Sequence, residues 1–211
     1  MVITYQGVES FKVQFGDVVI GYNPVSKESS FKTARFGADI VLVSANHEDL
    51  NGAEQCSFGD KKPFVAMGPG EYEVKGVFIK GFVSESHYGG DKLNNTIYIV
   101  KLENMNLCFM GALDTIELSP EAKEALEDID ILFVPIGGDG VLDPASAYKL
   151  AVNIESKLII PMHHGDVGKK DSLKAFLKEA GENPEPTDKL TIKKKDLEGK
   201  EGDVAVLTPT I

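Results

Sequence analysis

The sequence predicts an α+β fold in which mixed β-sheets lie beneath outer helices. Three observations carry this expectation. The first half reads as strand-turn-strand pairs, the second half alternates strands with capped helices, and several strands are unbroken apolar runs. An unbroken apolar run suits a strand covered on both faces, whereas alternation marks a strand with one wet face.

In chain order, "ESFKVQFGDVVIGYNP" gives two short alternating runs broken at Gly16-Asp17, a hairpin pattern. "ADIVLVSA" reads as a buried strand. "EYEVKGVFIKGFV" and "NTIYIVKLENMNLCFMG" repeat the strand-turn-strand pattern, with turns at Gly76 and at Glu103-Asn104. A helix is expected from Ser119, which can cap, with Pro120 in the first turn and Ala122, Ala125, Leu126 and Ile129 on one face. "DILFVPIGG" is a buried strand, and "LDPASAYKLAVNIE" repeats the helix start with Asp143 as cap. "SKLIIPMHHG" is another strand, followed by a helix from Asp171 to a stop at Gly181. "KLTIKKKD" and "DVAVLTP" close with strands. With no long linker and no solenoid repeat, residues 1-211 are expected to form a single domain.

Composition excludes several classes of function. Acidic residues outnumber Lys and Arg by 33 to 22, a formal charge of -11. That balance argues against nucleic acid, whose binding draws on neutralised phosphates. The one dense basic run, "LTIKKKDLEGKEG", is diluted by Asp196, Glu198 and Glu201. No apolar run approaches the roughly 20 residues of a bilayer span, and the start lacks a secretory pattern, so the expected location is cytoplasmic with no membrane partner. Cys56 and Cys108 are distant and lie in no paired motif, which speaks against a disulfide framework or a thiolate zinc site. The Gly-rich stretches "GPGEYE" and "PIGGDG" lack the continuation of a phosphate loop and read as turns, and no nucleophile elbow occurs.

Chemistry concentrates at the histidines. His47 follows "IVLVSAN", His87 follows "VFIKGFVSES", and His163 and His164 follow "LIIPM". Strand ends of a layered sheet converge on one edge, and imidazole with carboxylate suits zinc, manganese or iron. The opposing reading is a hydrogen-bonded polar edge, in which Asp49 caps a turn and His163 donates to a backbone carbonyl.

The order of segments resembles the metallo-β-lactamase fold, in particular the small single-domain group similar to L-ascorbate-6-phosphate lactonase. "ITYQGVESFKV", "GADIVLVSANHEDLNG", "LCFMGALDT", "IDILFVPIGGDG" and "KLIIPMHHG" carry the resemblance, the last two most closely. It implies an αββα four-layer sandwich of two mixed β-sheets, and hydrolysis at one or two metal ions held by loops at the sandwich edge. Carried over position by position, it implies a depleted site. Ala45 and Leu50 stand where the first and last histidines of the main motif belong, while His47 and Asp49 are kept. Val8 replaces an early histidine, Asn23 an Asp, and Phe109 and Ala112 a His and the bridging Asp. His163 matches the final ligand, and His87 matches a loop histidine with altered spacing.

Two functions follow. The first is a protein with an eroded metal site that is not a dinuclear hydrolase and acts through binding a small molecule or protein, or through assembly with itself. The second is a hydrolase using a single ion on a small lactone, phosphoester or similar substrate. The candidate metal ligands are His47, Asp49, His163 and His87, for at most one weakly held zinc or manganese ion. Asp49 is the first candidate for a catalytic group, and Asp114 is a substitute ligand only if its turn shifts.

Overall fold

The computed structural model describes residues 1–210 and contains two mixed sheets packed face to face. Sheet one begins with β1 (Val2–Gly7), β2 (Ser10–Phe15) and β3 (Val18–Tyr22), an antiparallel meander. The parallel strands β4 (Ile40–Leu42) and β5 (Phe64–Ala66) follow at one side. Sheet two contains β6 (Gly70–Val74), β7 (Val77–Ser86), β8 (Leu93–Leu102) and β9 (Met105–Phe109), joined antiparallel in sequence. It continues in parallel through β10 (Ile131–Pro135) and β11 (Leu158–Met162). The turn between β8 and β9 holds Glu103 and Asn104 both at positive φ, as a two-residue hairpin with right-handed strand twist requires.

The C-terminal segment returns to both sheets. The short strand β12 (Leu190–Thr191) pairs with β1 in sheet one, and β13 (Asp203–Val204) pairs with β11 in sheet two. Between the sheets lies one apolar core in which Phe11, Tyr22, Phe109 and Phe133 stack edge and face. This is the αββα sandwich expected from the sequence.

The helical layers are unequal. Helices α1 (Pro120–Ala125), α2 (Pro144–Ile154) and α3 (Ser172–Ala180) contribute to the apolar cluster over the outer face of sheet two. Over sheet one, the 3-10 turn Ala53–Cys56 packs on Val41 and Val43. Ser119 and Asp143 cap α1 and α2 through their side chains as expected. Asp171 does not cap α3: it takes a left-handed conformation, and no side-chain hydrogen bond reaches the helix start. α1 also ends before Ile129, and the expected strand over "KLTIKKKD" stops after two residues and turns into a 3-10 segment at Lys194–Leu197. Consecutive lysines cannot alternate buried and exposed apolar positions; Leu190 and Ile192 tie that segment inward, and Lys194 turns back to pair with the buried Asp130 (2.7 Å).

Candidate functional site

Three chain segments meet at the sandwich edge, each just beyond a strand. After β4 the chain bends so that the His47 N–H donates to the Ala45 carbonyl (3.0 Å) and the Leu50 N–H to the His47 carbonyl (2.8 Å). That bend buries Ala45 and Leu50 and leaves His47 half-buried above them. The Asp49 N–H donates to His47 Nδ1 (3.2 Å), and the same nitrogen lies 3.5 Å from Asp49 Oδ2. His47 Nε2 lies over Gly89, where a Cβ would sit 2.8 Å away, so only glycine fits without displacing the ring.

His163 follows β11 in a left-handed conformation (φ 61°), and its N–H donates to the Val8 carbonyl (2.8 Å). Val8 is itself left-handed (φ 56°), an outlier for a β-branched residue, and Asn23 is a third at φ 39°. Strained backbone of this kind persists only where its surroundings over-determine it. Here the surroundings are a buried polar chain. His163 Nδ1 meets Glu9 Oε1 at 2.8 Å, and Glu9 Oε2 accepts from Asn23 Nδ2 (2.9 Å). Asn23 also donates to Ser44 Oγ (2.8 Å), while its carbonyl oxygen accepts the Ser44 N–H (2.7 Å). Glu9 and His163 are both fully buried. A carboxylate on one imidazole nitrogen orients the other, and His163 Nε2 is buried with no hydrogen-bond partner.

The third segment is the turn after β7. It places Tyr88 between the other two. The Tyr88 ring lies 4.8 Å from the His47 ring and 4.9 Å, edge to face, from the His163 ring. Its hydroxyl donates to Asp49 Oδ2 (2.7 Å), and Ser29 Oγ donates to Asp49 Oδ1. Burial, then the hydrogen bond to Asp49, push the Tyr88 hydroxyl well above its ordinary pKa, so it stays a donor.

Beneath this lies a separate apolar cluster: Val8, Val25, Ala45, Leu50, Tyr88, Ala112, Val141 and Val167, with Phe31 and Leu93 at its margin. Four of its members are the positions at which the resemblance places lost ligands. Phe109 lies elsewhere, in the core between the sheets, 4.8 Å from the Tyr22 ring.

His47, Asp49 and His163 are thus brought together around Tyr88. His87 is not part of the group. It is half-exposed and pairs with Asp114, in a cleft of about 580 Å³ that Ser84 and Glu117 also line. Among the described residues no group of three or more His, Cys, Asp or Glu side chains is placed to hold a metal ion. His164 is buried beside Tyr5, and burial, chief among its perturbations, lowers its pKa to about 4, so it is neutral at pH 7. With Gln6, Phe31, Lys32 and Thr33 it lines a cleft of about 220 Å³ next to the apolar cluster.

A family model described as the beta-lactamase superfamily domain matches residues 2–163. The chain belongs to that superfamily. Curated relatives within the β-lactamase superfamily include a UPF0173 metal-dependent hydrolase of Listeria welshimeri, 23% identical over 195 residues, covering 78% of this chain and 85% of the relative. Another, from Thermococcus kodakarensis, is 26% identical over 183 residues, covering 74% and 79%. Among solved structures, a candidate zinc-dependent hydrolase of the metallo-β-lactamase superfamily from Thermotoga maritima superposes with a TM-score of 0.76 at 27% identity, covering 98% of this chain and 97% of that one. A metal-dependent hydrolase fold from Parabacteroides distasonis gives 0.66 at 21% identity, covering 97% and 91%. Among the described residues, no helix of this superfamily member is long and apolar enough to cross a membrane.

Sequence reasoning missed Glu9 and Tyr88. Nothing in "GVESF" marks Glu9 as the partner of a histidine 154 residues away. Tyr88 left one legible trace: an aromatic residue in an otherwise polar, Gly-rich loop, "SESHYGGD".

Proposed function

We propose that this β-lactamase superfamily member has an eroded metal site, is not a dinuclear hydrolase, and acts by binding a small molecule at the sandwich edge. The supporting observation is the apolar cluster. Val8, Ala45, Leu50 and Ala112 stand at ligand positions in the resemblance and pack together, buried, with Val25, Val141 and Val167. A dication with its waters is disfavoured in such surroundings, because nothing there replaces its hydration. Asp49 is taken up by the Tyr88 and Ser29 hydroxyls and His163 Nδ1 by Glu9, and the residues present do not fit two ions. The cleft beside the cluster, with apolar Val8 and Phe31 and polar Gln6, Lys32 and Thr33, suits a small molecule with an apolar body and a polar end.

Elemental analysis of protein purified without chelator, followed by calorimetric titration with zinc and manganese, tests this reading. The expected result is no stoichiometric metal and no tight binding. Two tightly bound ions per chain would overturn it.

A second reading, a hydrolase using one ion, is favoured by the placement of His47, Asp49 and His163 around Tyr88 and by the relatives, which are named metal-dependent hydrolases. One tight ion per chain, with loss of lactone or phosphoester hydrolysis on its removal, would establish that reading instead.

A further inference from the structure

Two side chains on the cleft beside the apolar cluster each carry a buried polar atom with no hydrogen-bond partner among the described residues: Gln6 Oε1 and His164 Nε2. Both side chains are more than nine-tenths buried, at 5% and 6% exposure. Buried polar atoms are normally paired, so two orphans on one cleft call for a group that completes them.

The surrounding hydrogen bonds fix the chemistry of that group. Gln6 sits where β1 slips its register with β2, between Tyr5 and Gly7. The Thr210 hydroxyl donates to the Tyr5 carbonyl (3.0 Å), which leaves it only lone pairs for Gln6. The Gln6 amide therefore turns its NH2 to Thr210 (3.1 Å), and its oxygen is left as an unanswered acceptor. His164 is neutral at pH 7, and the Pro161 carbonyl takes its one ring proton, so Nε2 is a second acceptor. Two acceptors repel a carboxylate or phosphate head, whose lone pairs would face theirs. Lys32 and Asp166 line the same cleft with opposite charges, and Lys32 donates to the Ser29 carbonyl (3.2 Å), so little net charge remains to draw an ion. Val8, Phe31, Val167 and Pro209 supply apolar wall. The cleft's volume of about 220 Å³ lies below the roughly 300 Å³ at which ordinary ligand pockets begin, so its occupant is about one ring in size.

We propose that this cleft takes a small neutral molecule of about one ring whose head, such as a primary carboxamide, offers N–H or O–H donors to Gln6 Oε1 and His164 Nε2. The proposal rests on the reading of the sandwich edge as a small-molecule site. It adds the chemistry of the head, which is a donor and not an anion.

Benzamide is the probe, with methyl benzoate and benzoate as matched rings that lack head donors. Binding to the full chain is read by ligand-observed NMR and calorimetry at pH 7. Benzamide should saturate at about millimolar concentration, within what a ligand of its size can reach. It should bind at least about tenfold more tightly than the ester or the anion, each of which leaves both acceptors unpaired. Gln6→Met and His164→Phe keep the side-chain bulk and remove one acceptor each. Both should weaken benzamide at least about tenfold and leave methyl benzoate unchanged, whereas a merely structural role would weaken the two alike. Circular dichroism checks folding, and the comparison of the three probes on the unaltered chain needs no variant. Equal affinity for benzamide and methyl benzoate, tighter binding of benzoate, or no saturable benzamide binding overturns the inference and leaves the proposed function standing. Two tight ions per chain in the metal titration overturn the proposed function, and the probe comparison then still decides the chemistry of the head.

Discussion

Replacing Glu9 tests whether the buried polar chain at the sandwich edge now serves stability. Glu9 is fully buried and accepts from two groups that have no access to water, His163 and Asn23. Glu9→Ala removes both acceptors: His163 Nδ1 loses its one partner, and Asn23 Nδ2 keeps only Ser44 Oγ. Each buried donor deprived of its acceptor costs about 1–3 kcal/mol, so a loss of about 2–5 kcal/mol is expected. For a chain of this size each kcal/mol lowers Tm by about 2–4 °C, which puts the fall at about 10 °C. Glu9→Gln keeps one acceptor and turns an amide toward the other donor, so it should cost about 1–2 kcal/mol. Urea titration read by circular dichroism would report both as a lower midpoint with an unchanged slope. If Glu9→Ala unfolds within about 0.5 kcal/mol of the unaltered protein, the range of an uninvolved surface change, the chain does not anchor the edge.

Three further predictions concern acid and the apolar cluster. His164 has its pKa lowered to about 4, so between about pH 6.5 and 4 the unfolded chain takes up a proton that the folded chain refuses; stability falls by about 3 kcal/mol over that window, and His164→Phe should flatten it in urea titrations at pH 7 and pH 4.5. Asp39, buried against Lys75 and Lys61, would be raised by burial alone, but those hydrogen bonds win and hold it near about 2. Its contribution is therefore present above about pH 4 and lost as pH falls through about 2, and Asp39→Asn should remove that step from the acid-unfolding curve. Ala45→His, Leu50→His and Ala112→Asp, introduced together, should lower Tm in the absence of metal and give a zinc-dependent rise in Tm, since binding to the folded state alone stabilises it; no response to zinc would show that these positions do not face a common centre.

Local sequence carried most of the fold. Ser119 and Asp143 signalled their helices because capping is a short-range contact, and Glu103-Asn104 signalled its hairpin because left-handed φ favours few residue types. Asp171 misled for the same reason: the residue type suits a cap, but the chain enters α3 through a left-handed residue whose side chain makes no capping hydrogen bond. β5 was not foreseen; "PFVA" is short and half-exposed, and becomes a strand only because β4 offers it an edge. At the site, His47, Asp49 and His163 were legible as donors after strands. Tyr88 and Glu9 were not, because their partners are 39 and 154 residues away and no periodicity encodes such a contact.

The return of the last residues to both sheets has a consequence for how the chain is made. β1 pairs with β12 across nearly the whole sequence, and Glu9 waits for His163. The amino-terminal meander therefore emerges from the ribosome with one flank open and a carboxylate unanswered. Contacts between such distant residues pay loop-closure entropy before they return anything, so they form late and folding is slow. During that interval the exposed flank of β1 is a template for the wrong strand. The protein's vulnerable moment thus lies in its synthesis, before residue 190 is available to close the sheet.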